Sequence, residues 1–75
     1  MIMPRMKAMR LHQGWSQQKL AFNAEMSASD VSKIETGRLV PSVRQKAKLA
    51  QALGLAPEEL LQQVALVPEL ADVQA

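Results

Sequence analysis

The sequence predicts an all-α fold, with five short helices packed as one compact domain. Two serines, Ser16 and Ser27, stand eleven residues apart, each ahead of a short stripe of apolar residues at helical spacing. Gly14, Gly37 and Gly54 fall where those stripes run out, as helix stops do. No segment carries a strand signal, a repeat or low complexity.

Helix 1 is expected from Pro4, a favourable first position, to Leu11 or His12, with Met6 and Met9 inward. Trp15 then packs under the turn that Gly14 opens. Helix 2 follows the cap Ser16, and Leu20, Ala21 and Ala24 hold the spacing of one buried face, which leaves Gln18 and Phe22 outward. Helix 3 follows Ser27, turns Val31 and Ile34 inward and ends at Gly37. Helix 4 opens at Ser42 and runs to Leu53, with Val43, Ala47, Ala50 and Leu53 as its stripe. Helix 5 starts at Pro57, where Glu58 and Glu59 suit the positive end of its dipole. The domain is expected to span residues 1–61. Residues 62–75 form an apolar tail (Val64, Leu66, Val67, Leu70, Val73) that folds back on the domain or buries itself in a partner.

Two short helices joined by a tight turn, as over residues 16–37, have the layout of a helix-turn-helix, whose second helix enters the DNA major groove. Ala21 and Ala24 are small where the two helices cross. Ala28, Ser29, Ser32 and Lys33 are left on the opposite face of helix 3, free of large apolar groups and open to a polar partner. Lys33 can reach the O6 and N7 acceptors of guanine or serve as a phosphate contact. Ser29 and Ser32 discriminate bases weakly, and Ala28 can touch only a thymine methyl. Asp30 is unfavourable toward phosphate and is expected to point away from it or to accept from a cytosine amino group.

The motifs Met9-Arg10, Gln17 to Ala21, Val31 to Gly37, Pro41-Ser42 and Ala50 to Gly54 occur in the order of the Cro and phage-repressor (XRE-type) family, which the chain resembles over about residues 5–61. The resemblance implies a lambda-repressor-like fold and sequence-specific binding of double-stranded DNA. It places Ala28 and Ser29 at base edges, and Gln17, Thr36, Arg38, Ser42 and Arg44 on phosphates. It also implies that Arg10 and Glu35 form a partly buried, structural salt bridge. Two positions depart from the family pattern. Glu25 stands where the turn usually has Gly, and Lys46 where helix 4 has a large apolar residue, so that Ala47 is expected to take the inward place.

Composition bounds the rest. Seventy-five residues bury a modest fraction of their surface, so a partner subunit would add stability. There is no Cys, which excludes disulfides and thiolate metal sites, and His12 is the only histidine. No acid pair or phosphate loop suggests an enzyme, and neither cofactor nor metal is expected. The first residues lack a signal-peptide core and no run would span a membrane, so a soluble, cytoplasmic protein is expected. All nine Lys and Arg lie in residues 1–48 against three acids, a net of +6, while residues 49–75 hold four acids and no base. A basic half that contains the reading helix fits a phosphate-binding face.

These readings converge on a small homodimeric transcriptional regulator, acting as a repressor on an operator with two inverted half-sites. Leu60, Leu61, Val64 and Leu66 are the expected dimer contacts. The rival reading is an antitoxin-like module that holds a protein partner, such as a toxin, through the tail.

Overall fold

The computed structural model describes residues 2–65. In chain order it contains β1 (Ile2–Pro4), α1 (Arg5–His12), α2 (Gln17–Asn23), α3 (Ala28–Glu35), α4 (Val43–Leu53), a 3-10 turn at Pro57–Glu59 and β2 (Gln63–Ala65). The expected caps form. Ser16 Oγ accepts from the Lys19 N–H at 3.0 Å, and Ser27 Oγ from the Asp30 N–H at 3.1 Å. Gly54 closes α4 in the left-handed region at φ 71°, where an L side chain would be strained.

Two expectations give way at the chain ends. The fold is not all-α, and the fifth helix is absent: Pro57 opens one 3-10 turn, and β1 pairs antiparallel with β2 in the register Ile2 with Ala65, Met3 with Val64 and Pro4 with Gln63. The reason lies in unsatisfied amides. Pro4 caps α1 without any side-chain bond, so the first N–H groups of that helix need acceptors from elsewhere. The Leu60 and Gln62 carbonyls supply them, accepting from Met6 at 2.9 Å and Arg5 at 2.8 Å. With those carbonyls turned toward α1, the chain passes alongside as a strand. Thus the segment read as a tail, residues 62–75, starts with Gln62 bonded to Arg5 and continues into three residues paired to the N-terminal strand, while Leu66 and the residues after it lie outside the described ones.

The core collects Met6, Leu20, Val31, Ile34, Leu49 and Leu60, each at most 1% exposed, around the small residues Ala21, Ala24 and Ala50. On α4 the buried face differs from the expected stripe. Val43 is 86% exposed and Ala47 is exposed, whereas Leu49, Ala50 and Leu53 are buried and Lys46 is half-buried. Lys46 keeps the inward-leaning position, where an aliphatic stem can lie along apolar neighbours with its ammonium reaching water. Among the described residues no helix is long and apolar enough to cross a membrane.

Candidate nucleic-acid interface

The turn between α2 and α3 is built on Glu25, which sits at φ 57°. A glycine would hold that conformation without strain, so the expected departure at this position is real. Glu25 also pairs with Lys48 Nζ on α4, on the surface. The hydrogen bond and charge of Lys48 hold the Glu25 carboxyl below its ordinary value of 4.5.

This turn sets α3 across α2, with Val31 and Ile34 buried and Ser29 and Lys33 exposed on the outer face. Ser32 and Ala28 are half-buried, and Ala28 packs against the core, so less of it is available to a thymine methyl than the sequence suggested. Asp30 turns toward α4, where its Oδ2 accepts from Gln45 Nε2 at 3.3 Å. This bond occupies one carboxylate oxygen within the domain.

The residues expected on phosphates divide into two groups. Arg38 and Arg44 are exposed and carry the charge such contacts need. The other three already have bonds within the domain. Gln17 Nε2 donates to Glu35 Oε1 at 3.0 Å and retains its second N–H. Ser42 Oγ accepts from the Gln45 N–H at 3.1 Å, which leaves its hydroxyl proton to give. Thr36 Oγ1 instead directs its proton to the carbonyls of Ser32 at 2.9 Å and Lys33 at 3.3 Å, so it closes the end of α3 and could meet phosphate only by breaking those bonds.

Behind this surface Arg10 and Glu35 form the expected salt bridge, bidentate and more deeply buried than anticipated. Arg10 Nε meets Glu35 Oε2 at 2.7 Å and Nη2 meets Oε1 at 3.1 Å, with the two residues 7% and 6% exposed. Arg10 Nη1 also donates to the Trp15 carbonyl at 2.8 Å, which ties the loop after α1 to the end of α3. Glu35 thus accepts from both Arg10 and Gln17, so the start of α2 is fixed on the same carboxylate.

Of the expected dimer contacts, Leu60 is fully buried in this chain's own core and cannot serve a second subunit. Leu61 is 39% exposed, and Val64 is half-buried within β2. Leu61 lies instead in a shallow groove with Ile2, Leu39 and Val40, beside Thr36 and Gly37 at the end of α3. Sequence reasoning missed Ile2 and Val40 here, because single apolar residues outside a helical stripe give no periodic signal. Phe22 is 79% exposed, and no described residue covers it.

Residues 5–63 match the family model for a helix-turn-helix domain. No curated protein matches. Among solved structures, the restriction-modification controller protein C.AhdI from Aeromonas hydrophila is 37% identical, with a TM-score of 0.70 over 76% of this chain and 86% of that one. The hypothetical transcription factor NHTF from Neisseria is 32% identical, with a TM-score of 0.70 over 93% of this chain and 75% of that one. With its capped helix pair, its left-handed turn and its Arg10–Glu35 bridge, the chain belongs to the helix-turn-helix domain family, in its Cro and phage-repressor (XRE-type) branch.

Proposed function

We propose that this domain binds double-stranded DNA sequence-specifically as a small transcriptional repressor, with α3 in the major groove. The observation that carries the reading is the outer face of α3. Ser29 and Lys33 stand exposed on a helix whose opposite side is sealed into the core, and the exposed Arg38 follows in the connection after α3 and Arg44 at the start of α4. Base-edge donors backed by flanking cations are what groove reading and phosphate positioning require. The likeness to a restriction-modification controller and to a transcription factor supports a regulatory role. Footprinting on the DNA upstream of the chain's own gene tests it. Protection of a discrete site supports the proposal, and uniform, unprotected cleavage at low salt counts against it.

Two reading helices must lie about 34 Å apart to meet successive major grooves on one face of DNA. A second copy of the chain provides the second helix. The apolar groove of Ile2, Val40 and Leu61 is the surface that best suits the contact, because it adjoins the C-terminal end of α3 and leaves Ser29 and Lys33 uncovered. A twofold contact there is isologous, with the groove of one copy meeting the same groove of the other. Val40→Asp is expected to leave the fold intact, since Val40 is 83% exposed, and to convert the dimer to monomer. Sedimentation at micromolar concentration checks this, and a wild-type chain that already runs as monomer overturns the assembly.

A further inference from the structure

The N-terminal ends of α3 and α4 are joined through one side chain, Gln45. Its Oε1 accepts from the Ser42 N–H at 2.9 Å while its own N–H donates to Ser42 Oγ at 3.1 Å, which completes a capping box on α4. The same amide then donates from Nε2 to Asp30 Oδ2 at 3.3 Å. Asp30 occupies the third position of α3, where its backbone N–H is held by Ser27 Oγ at 3.1 Å. In many helices an acid at that position reaches back to its own cap. Here it reaches across to the next helix, and the two N-caps become one network, Ser27–Asp30–Gln45–Ser42.

Gln45 needs both faces of an amide to do this. A carboxylate could still accept from Ser42, but it would meet Asp30 as a like charge, and a shorter side chain would lose both bonds. Asp30 and Gln45 are both half-buried, in a hollow shared with Arg44, Lys48 and Glu25, where Lys48 is already paired with Glu25. The neighbours in sequence give the bridge its meaning, since Ser29 precedes Asp30 on the reading helix and Arg44 precedes Gln45 at the start of α4.

We propose that Gln45 is a positioning residue that fixes the reading turn of α3 against the phosphate-gripping start of α4, and that through it the bridge to Asp30 sets base specificity. This rests on the DNA-binding reading above. A residue that only capped α4 would affect stability and would weaken binding to all sequences alike.

The test uses the full chain and the duplex that the wild-type chain enriches from a randomised pool, compared with the unselected pool at one fixed salt concentration. Gln45→Glu keeps the capping box, because Glu caps as Gln does, and breaks the bridge. It is expected to lower the ratio of specific to nonspecific affinity on the order of tenfold, as for other coupled polar pairs. Asp30→Asn keeps an acceptor for Gln45 and is measured as the second single variant of the cycle, so that recovery in the double variant is read against both. The double variant Asp30→Asn with Gln45→Glu restores the bridge with its polarity reversed, since the Asn amide then donates to the Glu carboxylate, and should recover the ratio to within about threefold. An unchanged ratio in Gln45→Glu, or no recovery in the double variant, overturns the positioning role while leaving DNA binding in place. If the wild-type chain enriches no duplex, the DNA-binding reading fails and takes this inference with it.

Discussion

Arg10–Glu35 and Lys48–Glu25 join segments 25 and 23 residues apart, yet one pair is sealed inside the domain and the other lies open on its surface. The buried pair is bidentate, is supported by Gln17 and the Trp15 carbonyl, and draws α1, α2 and α3 onto a single carboxylate. The surface pair holds the α2–α3 turn to α4 through one contact, with Glu25 71% exposed at its side chain. Charge pairs of equal formal chemistry therefore differ in consequence. Taking one partner from a buried pair strands the other in a medium of low polarizability, whereas water repays most of the loss at the surface.

The largest expected effect comes from breaking the first pair. Arg10→Met leaves Glu35 buried with Gln17 as its remaining partner and should cost about 3–5 kcal/mol, read from urea unfolding. Replacing both members with apolar residues, Arg10→Met with Glu35→Leu, should recover most of that stability, because the stranded charge is then gone. If the double variant is as unstable as the single, the pair itself was the source of stability.

Next in size is the outer face of the reading helix, which lies away from the Arg10–Glu35 bridge at its end. Lys33→Ala should leave the melting temperature nearly unchanged and weaken binding to the selected duplex. If Lys33 reads guanine, the loss is about 1–3 kcal/mol and confined to particular base positions. If it contacts phosphate, all sequences weaken and the salt slope falls by about 1. Titration across salt and sequence separates the two roles.

Smaller effects belong to the surface pair. Glu25→Gly relieves the left-handed backbone at the turn while giving up the contact to Lys48, and the backbone term is the larger of the two. The Gly variant should therefore melt slightly higher than the wild type, and a lower melting temperature would mean that the ion pair outweighs the strain. The pH dependence is smaller still. Because Lys48 depresses the Glu25 carboxyl in the folded state, the pair's contribution is present above the unfolded carboxylate's pKa and is lost as pH falls through the lower folded value. The melting temperatures of wild type and Lys48→Ala should thus converge as the pH drops below 4.5 and stay apart above it.

The contrast also marks what could be read from sequence. The caps Ser16, Ser27 and Ser42 and the stripes of α2 and α3 were legible because each is set by residues within one helical turn, whereas the left-handed turn at Glu25 was reached by resemblance to the family pattern. The Arg10–Glu35 bridge was reached by resemblance, since nothing local announces a partner 25 residues away. The β1–β2 pairing was not legible. Three residues are too few to show alternation, and the cause lies in the amides at the start of α1, which borrow the Leu60 and Gln62 carbonyls across most of the chain's length. The face of α4 was misread because Val43 and Ala47 match a helical period as well as Leu49 and Leu53 do, and only packing separates them. The bridge from Gln45 to Asp30 was not read from the sequence, where only Ser42 was taken as a cap. The pattern Ser42-x-x-Gln45 is a capping box by sequence, but the second use of the amide depends on how α3 crosses α4.

The most direct test of the account is sequencing of the duplexes that the full chain retains from a randomised pool, for the wild type and for Lys33→Ala. A pair of α3 helices held by a twofold contact predicts an inverted repeat, with half-site centres one helical turn (about 10 base pairs) apart, and altered or weakened preference in the variant. Retained duplexes no different in sequence from the starting pool would contradict the claim that the outer face of α3 reads DNA.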